Sequence, residues 1–483
     1  MSVPIMRLFL AIVVLFVVLI AWTSRWSVFG AEALRENPLD KRPLFAGLQV
    51  KRGAITSAGG EVLARSVRVR RRGGSIYERE YPTDSLFGHP VGYANLLFGQ
   101  LSGLERSRND ELTGTTSELN SIVDQLQGKR RAGNTVVTTL DVDAQRVATE
   151  ALGGQKGAIV AIEPKTGAVK TMVSSPGYDP NDIRDPDALT ALNRDTENAP
   201  LLDRVTQGTY PPGSTFKVVT ASAALDSGQF TPDSVLDGNS GKVISGTPLN
   251  NDGAADYGPI DLRTALKNSV NVVWAEVAER LGKQTMADYM DRFGFYRLPP
   301  LDYPKDQMIA SGERGPNGRL IPVTSPLVDV GRMAIGQDKL TVTPLQMAMV
   351  VSAVANGGKL MKPHLTDKVV DPDGRTVDTI EPETWSEPIS SETAAEMTTM
   401  MRSVVDDGTG TAVQIPGLDI AAKTGTAQVG AAGSGLTQPW FVAFAPANDP
   451  QIALAVTVER SEGGSGGTVA APIARQVFES LLR

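Results

Sequence analysis

Thr209-Tyr210-Pro211-Pro212-Gly213-Ser214-Thr215-Phe216-Lys217 sets a serine and a lysine three residues apart where an extended segment turns into a helix. Pro211 and Pro212 hold the approach extended, and Gly213 permits a sharp turn. The apolar run from Phe216 to Leu225, stopped by Ser227-Gly228, predicts a helix with Ser214 at or near its N-cap. Ser214 and Lys217 then share one helix face, a turn apart. The helix start also supplies backbone N–H groups and a positive dipole end, both suited to a developing oxyanion. This stretch alone leaves two readings open. One is a capped, buried helix whose lysine reaches solvent along its stem; the other is a nucleophile beside its base.

The chain of 483 residues contains no cysteine and only two histidines, His89 and His364. Disulfides, thiolate catalysis and cysteine-ligated metals are thereby excluded, and a zinc site or a Ser–His–Asp triad is disfavoured. Nucleophilic chemistry here would take its base from a lysine or a carboxylate, and neither metal nor cofactor is expected. A net charge of −7 argues against a nucleic-acid binder. Hydrophobic content of 41% and charged content of 21% suit a folded protein, and the length predicts two or three domains.

Leu8 to Ser24 carries no charge and is almost wholly apolar. It predicts an uncleaved transmembrane anchor within residues 1–26, because bulky Trp22 to Trp26 offers no small-residue cleavage site. Charge does not set its orientation: Arg7 precedes it, while Arg25, Arg35, Lys41 and Arg42 follow. A polar linker over 27–47 leads to a module over 48–152, rich in glycine, arginine and short β-like pieces. There Arg70-Arg71-Arg72-Gly73-Gly74 reads as a hairpin turn with a solvated arginine face. Residues 153–483 are more regular. Strand-like Ala158–Ile162 and Ala168–Val173 open this region, and Asp419–Thr426, Trp440–Phe444 and Ile452–Val458 close it, with helices between. This predicts one antiparallel sheet whose terminal segments meet. The glycines at 408–410 and 463–467 read as mobile loops.

Two further motifs follow Ser214: Ser269-Val270-Asn271 and the strand-borne Lys423-Thr424-Gly425, which leads into Thr426. Each has an earlier copy, Ser107-Arg108-Asn109 and Lys165-Thr166-Gly167, that reads as a turn or loop. Only one S-x-x-K occurs, so the order S-x-x-K, S-x-N, K-T-G selects a single combination. That order resembles the motif set of penicillin-binding proteins and class A β-lactamases. The likeness extends through Glu163–Gly167, Ser174–Asn181, Gly336-Gln337, Thr343–Gln346, Ala355–Gly358 and Trp440–Pro446, essentially from Gly157 to the C-terminus. Arg52-Gly53-Ala54-Ile55 and Gly103-Leu104-Glu105 resemble the N-terminal module of class B (monofunctional) members, in the short form of the actinobacterial PbpA type. Two departures stand out. Ser57-Ala58-Gly59-Gly60 replaces an acidic–basic pair, and Gln438-Pro439 stands where a histidine is common at the cleft rim.

The resemblance implies an α+β fold: a transpeptidase domain with an antiparallel sheet flanked by helices, a smaller β-rich N-terminal dimerisation-like module, and one transmembrane helix. It also implies a peptidoglycan D,D-transpeptidase that cross-links stem peptides ending in D-Ala-D-Ala through a serine acyl-enzyme, with β-lactams acylating the same serine. A serine attacks a carbonyl only when something takes its proton. Lys217 is placed to do so if neutral, and burial, the helix start and a second cation at Lys423 all disfavour its charge. Lowering its pKa by about three units costs roughly 4 kcal/mol. In the family pattern Ser269 and Asn271 relay the proton and hold the substrate amide. The backbone N–H groups of Ser214 and Thr426 form the oxyanion hole, and Thr424 and Thr426, flanking Gly425, receive the substrate carboxylate with Lys423. The region before Gly133 is too short for a glycan-polymerising domain, so a separate membrane polymerase of the SEDS type is the implied partner. The implied location is the plasma membrane, single-pass, with an extracytoplasmic catalytic domain. A β-lactam sensor or β-lactamase, and a noncatalytic division scaffold, remain alternatives. A P-loop is not formed, because Ala422 stands where that motif needs glycine.

Overall fold

The computed structural model describes residues 3–25, 48–71, 74–96, 98–115, 132–430 and 434–482. The expected linker over 27–47 and the Arg72-Gly73 tip of the predicted hairpin lie outside those residues. Val3–Ser24 forms a helix of 22 residues with no buried side chain. At about 1.5 Å per residue it is about as long as a bilayer core is thick. Among the described residues it is the one helix long and apolar enough to cross a membrane.

The main sheet runs in the order Ala421–Gln428, Leu436–Ala445, Ile452–Val458, Gly157–Ile162, Val169–Ser175, with Ser461–Glu462 added beside Leu436–Ala445. Every one of these pairings is antiparallel. The two ends of the region do meet: Val456 stands opposite Ile159, and Leu454 opposite Ala161. Gly157–Ile162 and Ile452–Val458 are buried at every position, because helices cover both faces. Alternate side chains divide between two cores. Val160, Val442 and Phe444 pack with Met347 and Val351 of the helix Pro344–Ala355. Ile159, Leu454 and Val456 pack with Val477 and Phe478 of the helix Ala471–Leu481.

The helix Val142–Leu152, placed by the sequence reading in the N-terminal module, lies on this second face, where Ala148 and Leu152 join the same core. Its Gln145 ties it to the outer strand. Gln145 Nε2 donates to Met172 O at 2.8 Å, and Met172 N donates to Gln145 Oε1 at 2.9 Å. That side chain occupies backbone groups that the sheet edge would otherwise leave open.

A second sheet joins Thr376–Thr379, Thr366–Val370, Thr135–Thr138, Ile55–Thr56, Val62–Arg71 and Gly74–Glu80 in that order. Its first two strands come from the far half of the chain, with Val369 opposite Val136, so the module and the larger domain share one sheet. Inside the module, Arg52 and Arg79 converge on the fully buried Glu105. Burial pushes the Glu105 carboxyl up, but the two guanidiniums outweigh burial and hold it below its ordinary range. This contact joins Arg52-Gly53-Ala54-Ile55 to Gly103-Leu104-Glu105, the two pieces that carried the module's resemblance.

Candidate active site

The nucleophile candidate sits one step away from where the spacing placed it. Gly213–Phe216 forms a 3₁₀ turn, and the α-helix proper is Lys217–Asp226, so Ser214 lies inside the tight turn and its side chain caps nothing. The cause is close packing. Gly213 has φ +52°, its N–H donates to Gly336 O at 3.0 Å, and a Cβ there would stand 2.9 Å from the Thr426 carbonyl carbon. Only a tightly wound turn fits between the Gly336 loop and the Lys423 strand.

Lys217 is fully buried. Its Nζ donates to Ser269 O at 2.7 Å and Asn271 Oδ1 at 2.6 Å, and lies 3.2 Å from Ser269 Oγ. Ser269 occupies the short link between the helices Leu262–Lys267 and Asn271–Arg292, with φ +58°, a backbone state uncommon for a residue other than glycine. That conformation presents both its carbonyl and its hydroxyl to one lysine. Lys423, also fully buried, donates from Nζ to Ser269 Oγ at 2.9 Å and to Thr424 O at 2.9 Å.

Burial pushes the Lys217 amine well below its ordinary value, and the Lys423 charge pushes the same way, while Asp252 opposes them. Burial brings Lys423 down to about 7. A neutral Lys217 has two N–H groups, which Ser269 O and Asn271 Oδ1 take, and one lone pair left to accept a hydroxyl proton. Ser214 Oγ is partly exposed and has no hydrogen-bond partner among the described residues.

Ser214 faces the outermost strand of the main sheet, Ala421–Gln428. Thr426 stands opposite Pro439, which has no N–H, whereas the odd-numbered neighbour Val429 donates to Leu436 O. The strand's pairing bonds therefore fall on odd positions, and the backbone N–H groups of Thr424 and Thr426 point to the open edge beside Ser214. Gly425 is packed against Pro212 and Thr215. A cavity of about 800 Å³ opens over these groups, lined by Ser214, Ser269, Asn271, Thr424, Gly425 and Thr426 among others. Lys217 and Lys423 lie beneath it.

Two wall segments escaped the sequence reading. Thr409 Oγ1 lies 2.6 Å from Thr424 Oγ1, and Gly466 N donates to Thr426 Oγ1 at 3.2 Å. Gly408, Gly410, Gly464, Gly466 and Gly467 are packed against neighbouring chain, while Gly463 is exposed with open space around it. Ser465 and Thr468 cap one another across the helical turn Gly466–Ala470, and a Cβ on Gly466 would stand 2.1 Å from Trp440 O. The earlier motif copies lie elsewhere. Lys165 is exposed and pairs with Asp449, and Asn109 accepts from Arg52 in the module. Neither histidine lines the cavity. Gln438 turns into the sheet, its Nε2 donating to Thr457 Oγ1 at 2.7 Å, so it does not form the rim.

Residues 157–479 match the model of the penicillin-binding protein transpeptidase domain, and residues 52–136 match that of the penicillin-binding protein A dimerisation domain. The chain belongs to the penicillin-binding protein transpeptidase family. It is 34% identical to the peptidoglycan D,D-transpeptidase PbpA of Mycolicibacterium smegmatis, over 100% of this chain and 99% of that one. Identity to the PbpA of Mycobacterium tuberculosis is 33%, with the same coverage. The ceftriaxone acyl-enzyme complex of penicillin-binding protein A from M. tuberculosis superposes with a TM-score of 0.81 at 32% identity. That match covers 91% of this chain and 100% of the other. Among solved penicillin-binding proteins, this chain thus shares its fold with one that was captured as a covalent β-lactam adduct.

Proposed function

We propose that this penicillin-binding protein is a peptidoglycan D,D-transpeptidase that works through an acyl-enzyme on Ser214. The observation that carries the reading is the pair of buried lysines meeting at Ser269 beside Ser214. Two amines buried without a carboxylate partner among the described residues are costly to the fold, and such arrangements mark functional sites. Neutral Lys217 takes the hydroxyl proton as Ser214 Oγ bonds to the carbonyl carbon of the penultimate D-alanine. The backbone N–H groups of Ser214 and Thr426 receive the oxyanion. The C–N bond then breaks, and the proton held by Lys217 passes to the departing D-alanine amine. In the second half, an amine of a neighbouring stem peptide attacks the ester carbonyl and gives its proton to Lys217. Ser214 Oγ leaves and recovers that proton.

Ser269 Oγ, between the two amines, passes protons from one to the other, and Asn271 orients Lys217 while offering its amide to the substrate backbone. Thr424, Thr426 and Lys423, with Gly425 keeping the floor flat, bind the terminal carboxylate. Thr409 orients the Thr424 hydroxyl. A β-lactam, which presents an amide and a carboxylate in similar relation, acylates the same serine. The helix Val3–Ser24 anchors the chain in the plasma membrane with the catalytic domain outside. Glycan polymerisation belongs to a separate membrane partner of the SEDS type, which co-purification from membranes would test.

The decisive assay supplies a D-Ala-D-Ala stem-peptide donor and an amine acceptor to the chain. Release of D-alanine with formation of the new amide is expected, and its loss in Ser214→Ala. Hydrolysis of the donor without any amide product would overturn the transpeptidase reading.

A further inference from the structure

Because Ser214 Oγ has no hydrogen-bond partner among the described residues, where it can reach is set by where the backbone places its Cβ. The residues that deliver that backbone, 209–212, belong to no helix or named strand. Pro211 and Pro212 have no N–H by which to be tied. The segment is held mainly at Tyr210. Its N–H donates to Val342 O at 2.9 Å, and its carbonyl accepts from Val342 N at 2.8 Å. Its phenol donates to Glu459 Oε1 at 2.5 Å. The Trp440 indole N–H donates to Pro211 O at 2.9 Å, and the Trp440 and Tyr210 rings meet edge-on with centroids 6.2 Å apart.

Glu459 follows directly on the main-sheet strand Ile452–Val458, and the same Oε1 accepts from Arg204 Nε at 2.8 Å. The Arg204 side chain is only 2% exposed. Its remaining nitrogens donate to Ala199 O at 3.2 Å and Asn198 O at 2.7 Å. A guanidinium with all three nitrogens engaged cannot swing, so the carboxylate it holds is fixed as well. None of Tyr210, Arg204 and Glu459 lines the cavity over Ser214.

We infer that Tyr210 and Glu459 are positioning residues for the nucleophile: the chain Tyr210–Glu459–Arg204 ties the proline-rich approach to the main sheet and so aims Ser214. This rests on Ser214 being the nucleophile. The bond acts on the direction of an otherwise unheld hydroxyl, and not on the pocket that binds substrate.

Tyr210→Phe keeps the ring, the edge contact with Trp440 and both backbone bonds to Val342, and removes one O–H. Stopped-flow acylation by a penicillin separates the first-order acylation constant from the dissociation constant of the complex that precedes it. The acylation constant is expected to fall about 10- to 100-fold, with the dissociation constant within about twofold and Tm nearly unchanged. An acylation constant equal to that of the wild type, or a loss confined to the dissociation constant, would overturn the inference. Glu459→Ala, measured per folded molecule, is expected to show a similar loss, and Glu459→Gln, which retains an acceptor oxygen for the phenol, to recover most of it. Equal losses in the two Glu459 variants would remove the acceptor role. A wild-type chain that forms no adduct would remove the nucleophile assignment first, and this inference with it.

Discussion

Lys217 Nζ and Lys423 Nζ converge on one hydroxyl oxygen, Ser269 Oγ, at 3.2 and 2.9 Å. Ser269 comes from neither lysine's element, so the meeting joins the helix Lys217–Asp226, the link before Asn271 and the strand Ala421–Gln428. Burial disfavours the charged state of both lysines, and the Lys423 charge further disfavours that of Lys217. The consequences of that arrangement can be measured one at a time.

Lys217→Met replaces an amine with an apolar side chain of similar reach. Loss of the base is expected to slow penicillin acylation by about 10²- to 10⁴-fold, the range for a positioned proton acceptor. Stopped-flow acylation checks this. A variant that acylates at the wild-type rate would place the base elsewhere.

The pH dependence of acylation follows from the sign of the Lys217 shift. Its folded pKa is lowered, so the reactive neutral form grows in as pH rises through that lowered value. Acylation is therefore expected to climb from acid pH and to level off well below the ordinary lysine range. A profile that climbs only near pH ~10 would show an unperturbed lysine.

Lys423 supplies a stability prediction with the same logic. Its folded pKa is about 7, below the unfolded value, so between the two the unfolded chain binds more protons and stability rises with pH. At pH ~7 this lowered pKa costs the fold roughly 4 kcal/mol. Lys423→Met removes that cost, together with the bonds to Ser269 and Thr424. It is expected to raise Tm near neutral pH, with the advantage shrinking as pH approaches ~10. A lower Tm across the whole range would contradict the shift.

In the module, Glu105→Ala leaves Arg52 and Arg79 buried without their carboxylate. Breaking a buried ion pair from one side costs about 3–5 kcal/mol. Urea titration should show that loss, while acylation per folded molecule stays close to wild type. An unchanged midpoint would mean that the module tolerates two uncompensated guanidiniums.

Much of this was legible before any coordinates. The absence of cysteine and the sparing use of histidine left a lysine or a carboxylate as the base, and the single S-x-x-K at Ser214, with the motif order after it, picked Ser269 and Lys423 over the earlier copies at Ser107 and Lys165. The strand-like segments at the two ends of the larger domain foretold the sheet in which Val456 meets Ile159. What stayed hidden depended on contacts between segments distant along the chain. A capped helix and a 3₁₀ turn have the same local spacing, and only Gly336 and Thr426 pressing on Gly213 decide between them. The glycines at 463–467 have a linker's composition, yet Gly466 is glycine because Trp440 and Gly425 leave no room for a side chain. Thr409 carries no motif at all, and acquires its place only when Thr424 lies beside it. The hairpin Thr366–Thr379 gives no local hint that it completes a sheet begun at Ile55.

The central claim is that one serine among many in this chain carries the acyl group. Incubation with a penicillin, followed by proteolysis and mass analysis, locates the adduct directly. A single adduct on the peptide containing Ser214, absent in Ser214→Ala, is the predicted result. An adduct on another residue, or none on the folded wild-type chain, would contradict the account.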